Sequence, residues 1–282
     1  MTGRLEYYQM QSTDTLADFK IFIDTRLPNV PASRDKDRQD LKQKILDKAS
    51  GSFLWVSLVM NILAKSYFEE AAEEILEEVP TDMNPLYSEM LGNVLQNRRA
   101  VVLARSLYMW TLLSLRPLKV DGLRVALKLD TNQTVHDLDK LIPAISGQLV
   151  TVNQQHEAEI IHQIAKLYLL QQDMHPDLAL DKVQCHTRMA HICLGILAGN
   201  STKTQPPRTL PRPSASFLSF TVADLADYAC DHFSDHLQRS STDDDNNWDL
   251  LCRFLECNLL VWIEFLARKR SMHSVTRTAQ NL

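Results

Sequence analysis

Apolar residues recur at intervals of three and four positions along most of this 282-residue chain, which is the spacing of one face of an α-helix. Leu16, Phe19 and Ile23 form one such stripe, and two later segments, 53–68 and 101–115, are apolar almost all round. Helices that are apolar on every side are typical of protein interiors. The chain is therefore predicted to be mainly α-helical, with these two segments as buried central elements.

The apolar period changes to two between residues 148 and 161. The segments Gln148–Val152 and Glu157–Ile161 alternate around a polar tetrad, Asn153–His156, which is the pattern of a β-hairpin. The signature Thr134-x-x-Asp137 is typical of a helix start and predicts a helix over 135–145, directly before the hairpin. Helix, extended start, helix, capped helix and hairpin follow one another in the order of a winged-helix unit.

Four segments are predicted from these patterns. Residues 1–80 form a helical segment, 81–171 a winged-helix-like domain, 172–270 a second helical domain, and 271–282 a flexible tail. Four of the eleven prolines lie within 199–216, so this stretch is predicted to be an excursion without regular structure. The predicted fold is a helical bundle plus a winged-helix unit with one short β-hairpin, followed by a second helical bundle.

The scarcity of glycine excludes several functional classes. The chain contains only seven glycines, and none of them form a G-x-G-x-x-G turn or a G-x-x-x-x-G-K-[ST] phosphate loop. No G-x-S-x-G turn is present either, so a serine-hydrolase nucleophile has no anchor. We therefore expect no catalytic activity, and no nucleotide or other cofactor bound by this chain alone.

Charge and cysteine content indicate where such a chain acts. A net charge of −5 gives no electrostatic basis for binding nucleic acid. The apolar run from Phe53 to Ala64 is too short to span a bilayer, and the first twenty residues lack the apolar core of a secretory signal. Five dispersed cysteines are typical of reduced thiols. A cytoplasmic location without membrane or nucleic-acid partners is expected.

Five short motifs follow one another in an order that resembles fungal NACHT-type signal-transducing ATPases, the STAND relatives of NOD-like receptors. They are Lys48-Ala-Ser-Gly-Ser-Phe-Leu-Trp-Val-Ser-Leu-Val59, Leu86-Tyr-x-x-Met-Leu91, Arg116-Pro-Leu118, Gly147-Gln-Leu-Val150 and Ile160-Ile-His-Gln-Ile-Ala-Lys-Leu-Tyr-Leu169. The resemblance extends over most of the chain. It implies the helical bundle, winged helix and second helical region that lie C-terminal to the nucleotide-binding core, without the P-loop core and without the C-terminal repeats.

The resemblance implies a regulatory and interaction module for signal transduction that acts by conformational switching. The winged helix would pack on a nucleotide-binding core in the resting state and swing away when the nucleotide exchanges. Expected partners are a NACHT core and sensor repeats, in cis or in trans, or a second copy of the chain. ADP or ATP would be bound only if the chain were joined to such a core, as expected for a fragment of a longer gene product.

The resemblance also nominates one site residue, His162. In nucleotide-bound relatives the closing winged-helix motif places a histidine here that touches the ADP phosphate. An imidazole N–H donates to a phosphate oxygen, and histidine changes its charge near neutral pH. The chain departs from the family pattern at Leu167 and at Gly122, where relatives often have acidic residues. The alternative interpretation is a helix-start histidine packed against the hairpin.

Two groups of residues are candidate metal ligands, but the spacing of neither group favours a metal site. Cys185, His186, His191 and Cys193 lie within nine residues, but successive positions on a helix diverge by about 100°, so all four do not converge on one ion. The pair His232 and His236 has metal-ligand spacing without the intervening glutamate of H-E-x-x-H. We predict no metal site, with buried thiols and a polar helix edge in its place.

The sequence is also compatible with two other functions. The first is a winged-helix nucleic-acid-binding protein, in which the helix at 135–145 would enter the major groove. This helix has Asp137 and Asp139 against a single Lys140, and the hairpin adds Glu157 and Glu159, which is the wrong sign for phosphate contacts. The second alternative is a stand-alone helical scaffold or adaptor.

Overall fold

The computed structural model describes residues 12–30, 35–49, 52–64, 74–77, 79–80, 82–170, 175–199, 223–241 and 244–282. The proline-rich stretch predicted at 199–216 lies outside these residues apart from Gly199. The chain divides into two compact units, 1–89 and 90–282, and each is described by itself. The predicted division into four segments has other boundaries and stays a prediction.

The first unit contains short helices around a small apolar core. The helices are α1 (Ser12–Arg26), α2 (Asp35–Lys48), α3 (Phe53–Leu63) and α4, which is described over 74–77, and the unit includes the first part of α5 (Met83–Leu95). Ser52 begins α3 by accepting a hydrogen bond from the Trp55 backbone N–H at 3.2 Å. The Trp55 indole is buried and donates to the Pro80 carbonyl at 2.7 Å. As predicted, α3 lies in the interior.

The second unit begins within α5 and centres on α6 (Arg98–Leu113). Asn97 begins α6 by accepting from the backbone N–H groups of Arg99 and Ala100. Bulky side chains such as Tyr108 and Trp110 are buried on several sides of α6. This agrees with the nearly continuous apolar sequence of the segment.

A compact helical and β-structured region follows α6. It consists of α7 (Val120–Thr131), α8 (Leu138–Ile145), β1 (Val150–Val152), β2 (Ala158–Ile160) and α9 (Gln163–Leu169). The strands are antiparallel, with Val150 opposite Ile160, and form the two-stranded sheet found in the described part of the chain. Lys119, just before α7, adds an antiparallel bridge to Glu157. The mainly helical class is confirmed, and so is one short hairpin in the residues that the structure describes.

The predicted start of α8 was wrong by three residues. Asp137, expected inside the helix, is the residue that caps it, because its carboxylate accepts from the Lys140 backbone N–H at 3.3 Å. Gly147 ends the segment in a left-handed conformation, with φ of 50°. A β-carbon at this position would lie 2.7 Å from the Met90 carbonyl oxygen, so this close approach requires glycine.

The remaining helices pack around α11 (Ala223–Gln238). They are α10 (Lys182–Leu197), α12 (Asp245–Cys257), α13 (Leu259–Lys269) and α14 (His273–Asn281). The rings of Phe233, Phe254 and Trp262 meet edge to face in the core between α11, α12 and α13. No helix in the described residues is long and apolar enough to cross a membrane.

The flexible tail predicted at 271–282 is corrected by α14. Ser274 and Thr278 on this helix are buried, although both are polar. Their hydroxyl groups are satisfied by α11, since Ser274 Oγ lies 2.9 Å from Asp231 Oδ1 and Thr278 Oγ1 lies 3.1 Å from Ser234 Oγ. The sequence pattern missed this helix because it packs through hydrogen bonds in place of an apolar stripe.

Candidate functional site

His162 lies at the junction between the hairpin and α9. The hairpin ends beside it, because the Ile161 N–H donates to the Leu149 carbonyl at 3.1 Å. His162 itself has extended backbone dihedrals and caps α9, with its Nδ1 accepting from the Ile164 N–H at 3.2 Å. The hairpin and the cap together fix the position of the imidazole.

The cap determines which ring nitrogen of His162 is available. Because Nδ1 accepts a hydrogen bond, the proton of the neutral ring is on Nε2. The side chain is exposed, so Nε2–H is free to donate to an incoming acceptor. The structure therefore presents His162 as an exposed donor, while contact with a nucleotide stays a prediction.

An exposed apolar face adjoins this donor. Ile164 is 43% exposed and Leu167 is 55% exposed, and the two are three positions apart on α9. Residues at this spacing lie on the same side of a helix. The face of α9 beside His162 is therefore apolar at these two positions.

A second junction connects the turn after α6 to α11. Arg116 donates to Asp224 Oδ1 at 3.2 Å, to Asp227 Oδ2 at 3.3 Å, and to the Asp224 backbone carbonyl at 3.2 Å. The other oxygen of Asp224 accepts the Lys119 N–H at 2.9 Å, at the start of α7. Lys119 provides no side-chain cap for α7, so Asp224 supplies from another helix the anion that a helix N-terminus favours.

Gly122 makes this junction possible. A β-carbon at position 122 would lie 2.6 Å from Asp224 Oδ2 and 3.1 Å from Asp224 Cβ, so any side chain there would displace the carboxylate. The position of the Asp224 carboxylate thus requires glycine at 122. The anion beside the first turn of α7 is supplied by an aspartate of α11.

The four candidate metal ligands on α10 do not meet. Cys185 and Cys193 are buried free thiols, and burial raises the pKa of both. His191 is exposed and contacts Asn247 Oδ1 at 3.2 Å, whereas His186 turns inward. The described residues contain no group of three or more His, Cys, Asp or Glu side chains placed to hold a metal ion.

The pair His232 and His236 was interpreted as part of a polar helix edge, and that interpretation is wrong. His236 is fully buried, with Nε2 2.7 Å from the Tyr228 hydroxyl and Nδ1 2.8 Å from His186 Nδ1. His232 points instead to Asp235 Oδ2 at 3.4 Å. The i, i+4 spacing was visible in the sequence, but the partner on α10 is 50 positions away and left no local signal.

The helix before the hairpin has the charges of an acidic surface. The amino group of Lys140, the basic residue of α8, forms an ion pair with Asp137 at 2.8 Å. Asp139 lies 3.6 Å from His156 Nε2 in the hairpin turn. A helix of this kind has no unpaired cation with which to contact a phosphate backbone.

Comparison with known proteins agrees with this architecture. The family model described as GPI inositol-deacylase, winged helix domain, matches residues 91–181, about a third of the chain. Residues 91–181 form a winged helix domain. The GPI inositol-deacylase family is a NACHT-containing family, so the match supports a winged helix region of the kind that follows a NACHT module. No curated protein and no solved structure matches the chain significantly.

Proposed function

We propose that this chain is a non-catalytic regulatory module that follows a NACHT nucleotide-binding core and responds to its nucleotide state. The observation that supports this proposal most directly is the winged helix domain at 91–181, which matches a NACHT-containing family. A winged helix is a binding and packing fold, and its function has to be argued from its surfaces. The exposed surface around α9 is the one we assign to the core.

The α9 surface has the properties of a contact site for a nucleotide-loaded domain. His162 offers an exposed Nε2–H donor in a position fixed by its own cap. Ile164 and Leu167 offer exposed apolar area beside it. We propose that the donor approaches the phosphate of a nucleotide held by the core, while the apolar pair packs on the protein around it. Charge-assisted hydrogen bonds of this type are the strong ones.

The hydrogen bonds at Asp224 support a response in which movement of the winged helix displaces α11. Because Arg116 and the Lys119 N–H both bind Asp224, the start of α7 is tied to α11 by several hydrogen bonds. Displacement of the winged helix on nucleotide exchange would therefore be passed to the helices that follow it. Such a response is signal transduction by domain packing, without a chemical step in this chain.

The test is binding in trans to a separately purified NACHT core. We expect this chain to bind a core loaded with ADP, and to bind the same core at least tenfold more weakly when it is loaded with a non-hydrolysable ATP analogue. His162→Asn is the matched variant, because asparagine also caps helices but lacks the ring Nε2–H. It should weaken binding to the ADP-loaded core and leave the helical circular dichroism unchanged. Equal binding of both nucleotide states would contradict the proposal.

A further inference from the structure

Three buried side chains form a continuous chain of hydrogen bonds between α10, α11 and the end of α6. The Leu115 N–H donates to the Tyr228 hydroxyl oxygen at 3.1 Å. That hydroxyl lies 2.7 Å from His236 Nε2, and His236 Nδ1 lies 2.8 Å from His186 Nδ1. Tyr228 and His236 are fully buried, and His186 is nearly so. These hydrogen bonds thus connect α10 through α11 to the turn that leads into α7.

The contacts of Tyr228 favour one arrangement of the protons in these hydrogen bonds. The Tyr228 oxygen already accepts the Leu115 N–H, and the Ser114 side chain also lies against it, so the Tyr228 O–H is placed to donate to His236 Nε2 at 2.7 Å. His236 Nε2 is then unprotonated, and the neutral ring has its proton on Nδ1, which donates to His186 Nδ1. The proton of the neutral His186 ring is consequently on Nε2. Every bond in the chain is satisfied when both imidazoles are neutral.

One added proton cannot be accommodated in this arrangement. A proton on His236 Nε2 would face the O–H of Tyr228, which would have to rotate away from a bond it now makes. A proton on His186 Nδ1 would face the N–H of His236 at a separation of 2.8 Å. In the first case the Tyr228 O–H must find another acceptor, and in the second two N–H groups point at each other, so an added charge in this buried site has a large penalty.

The charged groups around the pair do not favour the added proton. Arg239, which follows α11, faces both His186 and His236 and disfavours a positive charge on either. His232 also faces His236, from one turn earlier on α11. Beside Tyr228, the Arg116 guanidinium lies 5.4 Å from the ring centroid, and the Cys193 thiol of α10 is also close.

The nearby carboxylates are engaged elsewhere. Asp235 contacts His232 at 3.4 Å and Arg277 of α14 at 3.4 Å. Asp231 is bound by Lys269 of α13 at 2.6 Å. Neither carboxylate contacts His186 or His236. Among the described residues a protonated pair would therefore have no counter-ion. Burial, together with the neighbouring His186, His232 and Arg239, lowers the pKa of His236 to about 3.

We propose that the chain Leu115–Tyr228–His236–His186 is an acid-sensitive latch between the winged helix and the helices that follow it. When solvent acidifies, a proton enters the histidine pair, one hydrogen bond of the chain breaks, and the turn after α6 loses its attachment to α11. The latch consists only of residues of this protein, and it operates whether or not a NACHT core binds the α9 surface. It adds a proton response to a module proposed above to respond to nucleotide.

The sign of the effect follows from linkage. The pKa of His236 is lower in the closed structure than the ordinary value of 6.5, so the closed structure binds fewer protons than the open one. The latch is fully closed at high pH, and it weakens as pH falls below 6.5. For one histidine with these two pKa values, the open population rises by about 30-fold between pH 7.5 and pH 5.0.

Hydrogen exchange at the Leu115 amide measures this opening directly, because its N–H is the first donor in the series of hydrogen bonds. The exchange rate of this amide is measured in the full-length protein at several pH values between 7.5 and 5.0. Each rate is corrected for the intrinsic pH dependence of amide exchange. We expect the protection factor of Leu115 to fall by about 30-fold over this range. Protection that stays constant down to pH 5.0 would overturn the proposal.

The matched variant is His236→Gln. Glutamine offers an oxygen to the Tyr228 O–H and an amide N–H to His186, but it does not titrate. The protection factor of Leu115 in this variant should therefore be independent of pH. The control is His175→Gln, which removes a half-exposed histidine that takes no part in these hydrogen bonds and should behave as wild type. An equal loss of protection in His236→Gln and in wild type would refute the latch.

Two further measurements keep the test decisive if His236→Gln does not fold. His186→Gln keeps an acceptor for His236 Nδ1–H, and it should reduce the pH dependence because His186 no longer titrates. Imidazole ¹⁵N spectra of the wild-type protein at pH 7.5 should show His236 protonated on Nδ1 and His186 protonated on Nε2. The opposite tautomers, or a charged ring at either residue, would contradict the proposed chain.

Discussion

Gly122→Ala is the substitution whose outcome depends most sharply on the Asp224 junction. Gly122 lies in the first turn of α7, where replacement of glycine by alanine ordinarily stabilises a helix by about 0.5–1 kcal/mol. Here the new methyl group would lie 2.6 Å from Asp224 Oδ2. The carboxylate must move, and its hydrogen bond to the Lys119 N–H is lost.

The magnitude follows from the bond that is broken. A hydrogen bond to a charged group contributes about 1.5–3 kcal/mol to the free energy of unfolding. After the helix-propensity gain is subtracted, Gly122→Ala should lower the free energy of unfolding by about 1–2 kcal/mol. The assay is urea unfolding at pH 7.5, followed by far-UV circular dichroism.

Gly195→Ala is the matched control, because Gly195 lies within α10 and a β-carbon there meets no atom within 4 Å. It should raise the free energy of unfolding by about 0.5–1 kcal/mol. Asp224→Ala should reverse the sign at position 122, so that Gly122→Ala is stabilising in that background. If Gly122→Ala stabilises the otherwise unchanged protein as Gly195→Ala does, Asp224 does not contact the start of α7 as described.

Three other predictions can be checked with the same protein. Gly147→Ala should lower the free energy of unfolding by about 2 kcal/mol or more in urea titrations, because its left-handed φ is costly for alanine and its methyl group would meet the Met90 carbonyl; a neutral result would contradict the described turn. Trp262→Phe should cost about 1–3 kcal/mol in the same assay, because the buried Trp262 indole donates to the Cys230 carbonyl at 2.9 Å; an unchanged midpoint would contradict that contact. Thiol titration with a chromogenic disulfide should detect two rapidly reacting cysteines in the native protein, the exposed Cys252 and Cys257. The other three cysteines are buried and should react only after unfolding: Cys185, Cys193 and Cys230.

The sequence predicted those features of the fold that local patterns determine. The hairpin around Asn153–His156 was visible as a change of period, and α6 was visible as an apolar segment with few polar interruptions. Both are properties of short windows of sequence. The start of α8 was misplaced because Asp137 is a capping residue in its own right and needs no partner three residues earlier.

The junctions between helices were not predictable in the same way. Asp224 binds the Lys119 N–H across 105 positions, and His186 meets His236 across 50. A single sequence contains no signal for such pairs, because their side chains are brought together only by the packing of α10 and α11 on α6 and α7. The helix α14 was missed for a related reason, since its buried Ser274 and Thr278 are satisfied by α11 and do not form an apolar stripe.

Calorimetric titration of the purified chain with ADP and magnesium measures whether these 282 residues bind nucleotide by themselves. We propose that this chain is the regulatory part of a NACHT-type switch, with an exposed donor at His162 but no phosphate-binding loop in its sequence. We therefore predict no measurable binding of ADP by the chain alone. A dissociation constant in the micromolar range would show a nucleotide site within these 282 residues and would contradict this proposal.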